Sequence, residues 1–383
     1  MKRRDFLRWI AVSGGLTFLP ARAWAGAAYE RLLILVELKG GNDGLNTLVP
    51  FADPAYHRLR PRLAVKREEA IQLDEHNGLH PALRPLLPLW QAGELAAIRG
   101  LGYPSPNLSH FRSIEIWDTA SKSAEYLQAG WLARAFAAHP PPATFAAEGV
   151  LVGSGELGPL AGGARAIALN NPAEFLRQAR LARPEMRADN AALAHIRKVE
   201  SDIAQAGTRL ANAQASLRTE FPRGEFGNAV RTACQVIAGG AETAVLRLSL
   251  GGFDTHQNQP GAHANLLGQL AEGLAALKTA LQELNRWERT LILTYAEFGR
   301  RPQENQSNGT DHGTASVHFA LGGRVRGGLY GAAPALDRLD GNGNLPFAVD
   351  FRSLYATALA RWWGIDPAPV LNGRFETLPI LRT

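Results

Sequence analysis

Short, nearly uninterrupted apolar runs recur along the chain, and each stops close to glycine or to a polar residue. The four runs cover residues 31–38, 94–100, 244–250 and 290–295. Their length and composition are typical of strands covered on both faces of a parallel sheet. Segments with the spacing of amphipathic helices lie between them, at residues 81–91, 130–138 and 263–287. Strands that alternate with helices predict an α/β fold, a three-layer α/β/α sandwich around a mainly parallel central sheet.

One long segment departs from this alternation. Residues 172–221 are rich in Ala, Arg, Leu and Gln and almost free of glycine, which predicts an additional helical segment of two or more helices. We expect it to be an insertion, a cap or a side layer, within one domain at residues 26–383. A separate domain is the alternative, but no clear linker marks its boundaries.

The first 25 residues have the pattern of a twin-arginine export signal. An Arg-Arg pair precedes a moderately apolar stretch at residues 9–19, and Ala23-Trp-Ala25 ends it with a small-x-small cleavage pattern. A buried N-terminal helix is the alternative, which Ser13-Gly-Gly15 disfavours. We therefore expect passage through the twin-arginine translocase, cleavage near Ala25, and a periplasmic or otherwise exported location.

The formal charge of +6 is concentrated in this signal. Five basic residues against Asp5 leave +4 in the signal, so +2 remains for the rest of the chain. We therefore expect no nucleic-acid partner. After the signal, no apolar run has the length of a membrane span, so we expect no permanent membrane anchor. The sequence does not determine the oligomeric state.

Cys234 is the only cysteine of the chain. An intrachain disulfide and a thiolate metal cluster are therefore excluded. Any metal ion must be held by oxygen and nitrogen atoms. A GxGxxG motif after the first strand and a Walker lysine motif are also absent from the sequence, which disfavours a nucleotide cofactor.

Four motifs combine acidic residues with glycine or histidine, of which three follow apolar runs and the fourth lies shortly after one. They are Gly40-Gly-Asn-Asp-Gly44, Gly251-Gly-Phe-Asp-Thr-His256, Glu297-Phe-Gly-Arg300 and Thr310-Asp-His-Gly313. In an α/β sheet, ligands bind outside the carboxyl ends of the strands. Carboxylates and imidazoles delivered to that edge predict a metal centre.

The individual residues differ in how strongly they support this site. Asp254 and His256 alternate by two, so in extended geometry they face the same side and can share one ion. Asp43 either projects beyond the sheet edge toward a ligand or belongs to an ordinary Asn-Asp-Gly turn. Arg300 either binds an anionic oxygen or pairs with Glu297.

A nucleophile is predicted at a different strand end. Ser109 and His110 lie near the N-terminus of a helix predicted at residues 111–117. Backbone N–H groups at that position can hold an oxyanion, and a metal ion can lower the pKa of the serine hydroxyl. The alternative is that Ser109 only caps the helix. His318, which lies between Val317 and Phe319, is predicted to be a core histidine.

These motifs, in this order, resemble the exported bacterial family known as domain of unknown function 1501. The resemblance is carried by the export signal, the four motifs above and Leu108-Ser-His-Phe111, and it extends over nearly all of the chain after the signal. That family is grouped with the alkaline phosphatase and sulfatase superfamily. The resemblance implies the α/β/α fold of that superfamily and a divalent-metal site at the carboxyl ends of the strands.

Several roles follow from the resemblance. Asp43 stands where the superfamily places its first metal carboxylate, and Ser109 falls in the region of its nucleophile. Asp254 and His256 are similar to its Asp-x-x-x-His pair, with a spacing shorter by two.

The Asp-His-Gly signature of the superfamily has two possible matches here. Either Asp311 and His312 match it directly, or Glu297 occupies that strand end and His312 replaces a later metal histidine. The implied metal ligands are therefore Asp43, Asp254, His256, Glu297, Asp311 and His312. The implied ion is Zn²⁺ or Mn²⁺, with Mg²⁺ or Ca²⁺ as alternatives.

The implied reaction is metal-dependent hydrolysis of a small anionic ester, a phosphate ester rather than a sulfate ester. Ser109 would attack, with His110 beside it, and Arg300 would neutralise a non-bridging oxygen. Cys234 lacks the sequence context from which formylglycine forms, which disfavours sulfatase chemistry. The alternative is a catalytically degenerate protein of the same fold that binds a metal ion or a ligand.

Overall fold

The computed structural model describes residues 29–169, 217–240 and 242–382. In chain order the strands are β1 (Leu32–Lys39), β2 (Leu48–Val49), β3 (Ile71–Gln72), β4 (Gly78–Leu79), β5 (Leu95–Gly102), β6 (Gly149–Val152), β7 (Ala166–Leu169), β8 (Val245–Gly251), β9 (Thr290–Tyr295), β10 (Arg300–Glu304), β11 (Thr310–His312), β12 (Ser316–Leu321), β13 (Gly328–Tyr330) and β14 (Val349–Asp350).

The α-helices are α1 (Gly44–Thr47), α2 (Pro54–Leu59), α3 (Leu87–Gln91), α4 (His110–Thr119), α5 (Trp131–Ala138), α6 (Glu225–Ala238), α7 (Gln259–Glu283), α8 (Arg352–Thr357) and α9 (Pro367–Leu371). Short 3-10 helices cover Pro81–Leu86, Gly158–Leu160 and Trp287–Arg289, and a π-helical segment covers Ala358–Trp363.

A nine-stranded sheet forms the centre of the molecule. Its strand order is β13-β5-β12-β9-β1-β8-β6-β7, with β14 beside β5. All neighbours pair in parallel except β12, which is antiparallel to both β5 and β9. The predicted mainly parallel sheet is thus confirmed. The four apolar runs are β1, β5, β8 and β9.

Helices cover both faces of this sheet. On one face, Ile34, Val36 and Leu38 of β1 pack in a core with α6, α7 and the 3-10 helix Pro81–Leu86. On the other face, Leu33 and Leu35 pack in a second core with α4, α5 and α8. Each such aliphatic side chain contributes about 1.5–3 kcal/mol on burial. The three-layer α/β/α sandwich predicted from the sequence is confirmed.

Two differences from the predicted elements have physical reasons. The segment at residues 81–91 starts as a 3-10 helix, because Pro85 and Pro88 remove backbone donors, and continues as α3. Strand β12 was not predicted, since its polar Ser316 and His318 interrupt the apolar pattern. The helical segment expected at residues 172–221 lies, up to residue 216, outside the described residues. Among the helices that are described, none is both long and apolar enough to cross a bilayer.

The direction of the strands brings the four motifs to one edge. Strands β1, β5, β8 and β9 run in the same direction, so their carboxyl ends lie together. Strand β12 runs in the opposite direction and starts at that edge. The hairpin of β10 and β11 lies just before β12 in the chain, so it reaches the same place.

Candidate metal centre

Three chain segments deliver nitrogen and oxygen donors to this edge of the sheet. Asp254 and His256 lie in the turn after β8, and His312 is the last residue of β11. His110 is the first residue of α4. The ligand atoms of His110, Asp254 and His312 all lie within 4.8 Å of one another. This group therefore has the composition and spacing of a site that can hold a metal ion.

The tightest part of the group joins Asp254, His256 and His312. The Nε2 atoms of the two histidines are 2.9 Å apart, and they lie 3.1 Å (His256) and 3.3 Å (His312) from Oδ1 of Asp254. Ligands that share one tetrahedral zinc ion at the usual bond lengths are about 3.3 Å apart. These distances therefore fit three ligands of a single ion.

The other ring nitrogens of these two histidines are already hydrogen-bonded. Nδ1 of His312 lies 2.8 Å from the carbonyl oxygen of Leu108, and Nδ1 of His256 lies 3.3 Å from Oδ1 of Asp311. A carbonyl or an ionised carboxylate only accepts hydrogen bonds, so Nδ1 carries the proton in both rings. In the neutral rings, the two Nε2 atoms then face each other and Asp254 with their lone pairs.

His110 approaches Asp254 from the other side. Its Nε2 atom lies 3.5 Å from Oδ2 of Asp254, and its Nδ1 atom lies 2.8 Å from Oε1 of Glu297. Glu297 is buried and contacts the Nδ1 side of the ring, away from Asp254. The structure thus brings together seven of the nine predicted site residues. His110, Asp254, His256, Glu297 and His312 contact one another as described above, Arg300 contacts Asp254, and Asp311 contacts His256.

Arg300 pairs with Asp254 and not with Glu297. Its Nη2 donates to Oδ1 of Asp254 at 2.6 Å, and its other contacts are with backbone carbonyls, including Gly41 and Thr310. The Arg300 side chain is fully buried. Partial burial opposes ionisation of Asp254, but the hydrogen bond and charge of Arg300 outweigh it and lower the pKa of Asp254. Arg300 therefore keeps this carboxylate ionised and in place.

Asp311 lies behind His256. Besides His256, its Oδ1 accepts a hydrogen bond from Nδ2 of Asn305 at 3.1 Å. This bond and the contact with His256 lower the pKa of Asp311 against the opposing effect of burial. Asp311 thus orients a histidine of the group. Asn305, in the turn between β10 and β11, was not identified from the sequence, because a polar turn residue carries no signal of its own.

Asp43 is engaged elsewhere. Its Oδ2 accepts hydrogen bonds from Arg60 at 2.6 Å and from Gln259 at 2.5 Å, and its Oδ1 accepts one from the backbone N–H of Leu45. The carboxylate is completely buried and caps α1. These contacts do not support the predicted ligand role of Asp43, which stays a prediction.

Ser109 lies beside the group in the chain. It occupies the N-cap position of α4, but its side chain makes no capping hydrogen bond. Its backbone N–H donates to Oδ1 of Asn107, and the residue is exposed. The hydroxyl therefore remains available, between a residue that contacts His312 and one that contacts Asp254.

Glycine shapes the turn that faces this site. Gly40 (φ +110°) and Gly41 (φ +78°) follow β1 in conformations that other residues rarely adopt. A Cβ atom on Gly40 would clash with the backbone nitrogen of Asp254, and one on Gly41 would meet the ring of Phe298 at 2.5 Å. The turns after β1, β8 and β9 can pack together only because these side chains are missing.

Comparison with solved structures finds distant similarities. The C-terminal periplasmic domain of EcEptC from Escherichia coli, in complex with Zn, is 8% identical, with 76% of this chain and 72% of that chain covered and a TM-score of 0.40. The phosphonate monoester hydrolase SpPMH from Silicibacter pomeroyi is 9% identical, with coverages of 90% and 76% and a TM-score of 0.44. The PsFucS1 sulfatase from Pseudoalteromonas sp. is 9% identical, with coverages of 94% and 75% and a TM-score of 0.40.

At these TM-scores the similarities carry no argument about activity or residue roles. No curated protein matches the chain. A family match covers residues 76–374 and includes every residue of the candidate metal centre. The chain belongs to the family described as "Protein of unknown function (DUF1501)".

Proposed function

We propose that the chain is an exported metal-dependent hydrolase that acts on phosphate esters, with sulfate esters as less favoured substrates. One observation carries the proposal. Three imidazoles point Nε2 at one carboxylate, while acceptors occupy Nδ1 of each. Lone pairs at these distances repel one another unless a proton or a metal cation lies between them, and a metal cation can satisfy all of them at once. Such an arrangement, with acceptors behind the histidines, is typical of metal sites.

The donor set fits a divalent transition-metal ion. Asp254, His256 and His312 would hold it, and His110 is the candidate for a fourth donor. Imidazole ligands suit Zn²⁺, while Mg²⁺ and Ca²⁺ prefer oxygen ligands. Mn²⁺ is the second choice, since the Asp254 carboxylate suits it better than the imidazoles do. When bound, such an ion polarises an ester oxygen and favours the ionised form of a nearby hydroxyl.

Ser109 is the proposed nucleophile. Its hydroxyl would attack phosphorus and displace the alcohol, and water would then release phosphate from the serine. Backbone N–H groups in the first turn of α4 favour a negatively charged group beside it. Arg300 would not contact the substrate, since its side chain is buried, but would maintain the charge of Asp254.

The test combines metal analysis with an aryl phosphate assay. The protein is stripped with chelator, reconstituted with Zn²⁺ or Mn²⁺, and measured for bound metal and hydrolysis. We expect one equivalent of tightly bound ion, loss of binding in His312→Ala, and loss of hydrolysis with intact binding in Ser109→Ala. Wild-type protein that binds no metal, or hydrolysis that survives chelation, would refute the proposal.

A catalytically degenerate binding protein is the second candidate. The observation that favours it is the Ser109 hydroxyl, which makes no hydrogen bond to a base among the described residues. Stoichiometric metal without hydrolysis that depends on Ser109 would support this candidate.

Export through the twin-arginine translocase is part of the proposal and is tested separately. Residues 1–28 lie outside the described part of the chain, so only the sequence supports it. We expect a fusion of residues 1–30 to a folded reporter to reach the periplasm. Replacement of both Arg3 and Arg4 by lysine should retain that reporter in the cytoplasm.

A further inference from the structure

The two carboxylate oxygens of Glu297 have different surroundings. Oε1 accepts a hydrogen bond from the backbone N–H of Gly40 at 2.9 Å and lies 2.8 Å from Nδ1 of His110. Oε2 is buried and has no hydrogen-bond partner within the described ranges. Only 5% of the side chain is exposed. Burying a carboxylate is costly unless it is paired, so this position requires an explanation.

The contact with Glu297 determines where His110 carries its proton. Oε1 already accepts a hydrogen bond from the backbone N–H of Gly40, and with Oε1 as the acceptor toward His110 as well, Nδ1 of His110 is the donor. In the neutral ring, the lone pair is then on Nε2, which faces Oδ2 of Asp254 at 3.5 Å. Without Glu297, the proton can occupy either ring nitrogen of His110. In the form protonated on Nε2, that nitrogen has no lone pair and cannot bind a metal ion.

Other contacts hold the ring in this orientation. The hydroxyl of Ser113 donates to the backbone carbonyl of Glu297, which ties the helix of His110 to the turn after β9. The ring of Phe298 packs against His110, with ring centres 4.8 Å apart, and against His312 at 4.5 Å. Glu297 thus lies behind His110, on the side of the ring that points away from Asp254.

We infer that Glu297 is a positioning residue for His110 and not a metal ligand. It fixes the Nδ1–H form of the ring, so that Nε2 is offered to an ion held by Asp254. This inference rests on the proposed metal function of the site. It differs from the alignment in which Glu297 itself binds the ion.

A double-mutant cycle of zinc affinity separates these two roles. The four proteins are wild type, His110→Ala, Glu297→Ala and the double variant, with affinity measured by calorimetry. We expect Glu297→Ala to weaken zinc binding about 10–100-fold, the range found for residues behind metal ligands. The double variant should bind no more weakly than His110→Ala. A further loss in the His110→Ala background would identify Glu297 as a direct ligand and overturn the inference.

A second measurement needs no metal. Nitrogen-15 NMR of metal-free protein reports which ring nitrogen of His110 is protonated. We expect the Nδ1–H form in the wild type and a reduced share of it in Glu297→Gln, because the amide can turn its N–H toward Nδ1. Asp311→Asn is the matched control, since it should change His256 and leave His110 unaffected. A wild-type His110 in the Nε2–H form would overturn the inference.

The two measurements distinguish the two ideas. Wild-type protein without zinc affinity refutes the proposed function, while the NMR result still decides whether Glu297 positions His110. Thermal melting of each variant shows whether it is folded.

Discussion

Nη1 of Arg60 and Oδ2 of Asp43 lie 2.6 Å apart, and neither side chain is exposed to solvent. Burial opposes ionisation of Asp43, but the charge and hydrogen bond of Arg60, with help from Gln259, outweigh it and lower the pKa of Asp43. Arg60 also donates to the carbonyl oxygens of Arg301 and Pro302. The pair therefore ties the turn after β1 to the hairpin that carries His312.

Asp43→Asn should destabilise the protein without removing its metal. The substitution keeps the shape of the side chain but leaves Arg60 buried without a charge partner, which costs about 3–5 kcal/mol. Denaturant unfolding measures the loss, and metal analysis measures the zinc content of the folded protein. Asp53→Ala, which removes only the N-cap of α2, is the control and should cost about 1 kcal/mol. If Asp43→Asn instead loses its zinc and keeps the stability of the wild type, Asp43 is a metal ligand.

Asp254→Asn should abolish zinc binding. The amide has one weaker oxygen ligand and no charge, and the loss should exceed the 10–100-fold expected for a residue behind a ligand. Arg300 also loses its acidic partner, so the unfolding midpoint should fall. Calorimetric titration with zinc measures the effect. His76→Ala, which changes an exposed histidine outside this group, should bind zinc like the wild type.

Chelation should lower the melting temperature. An ion bound only by the folded state stabilises it by about 2.7 kcal/mol when its concentration is 100 times Kd. We therefore expect EDTA to lower Tm in the wild type and added Zn²⁺ to restore it. Scanning fluorimetry of wild type and Asp254→Asn provides the comparison. An equal response of both proteins to EDTA would show that the ion binds elsewhere.

His318→Leu should reduce the sensitivity of the fold to acid. Both ring nitrogens of His318 are buried without a hydrogen-bond partner among the described residues, and burial lowers its pKa from 6.5 to about 3. The unfolded chain binds this proton below pH 6.5 and the folded protein does not. Stability therefore falls as pH drops from 6.5 toward 3, by at most about 1.4 kcal/mol per pH unit.

Leucine removes this proton-binding difference and the two unpartnered nitrogens. We expect stability at pH 7 to be unchanged or higher, and a shallower loss of stability between pH 6 and pH 4. Urea unfolding at several pH values measures the slope. The same slope in the variant and in the wild type would assign the acid sensitivity to other groups, such as His263, whose burial lowers its pKa to about 4.

Gly40→Ala should damage the metal centre, whereas Gly251→Ala should not. Gly40 has a positive φ, and a Cβ atom there would clash with the backbone of Asp254. At Gly251, a Cβ atom would meet nothing within 4 Å. We expect Gly40→Ala to cost more than about 1 kcal/mol and to weaken zinc binding. Equal zinc affinities in the two variants would contradict this account of the turn.

The sequence predicted the framework of the site well, because apolar runs and the motifs behind them are local signals. β9 has the bounds expected from its pattern, and β1, β5 and β8 differ by at most two residues at an end. Asp254 and His256 lie at the edge where the parallel strands have their carboxyl ends, and the antiparallel hairpin of β10 and β11 brings His312 to the same edge. The order of the strands in the sheet was not predicted, because it depends on pairings between distant segments.

The sequence could not show which partner each carboxylate would find. Asp43 and Asp254 both follow a strand and glycines. Arg60 and Gln259 donate hydrogen bonds to Asp43, however, while three histidines face Asp254. Arg60 belongs to no motif and reaches Asp43 only through tertiary packing. His110 was expected beside a nucleophile, and its two-sided contact with Glu297 and Asp254 was visible only once the folded chain placed them together.

The donors of the metal centre come from the turns after β5 and β8 and from the hairpin before β12. Strand β1 pairs with β8 and β9, which are far away in the chain, so the edge of the sheet cannot form early during synthesis. A nascent chain lacks His312 until most of the protein has left the ribosome. The ion can thus be captured only by a nearly finished polypeptide, in whichever compartment that polypeptide completes its folding.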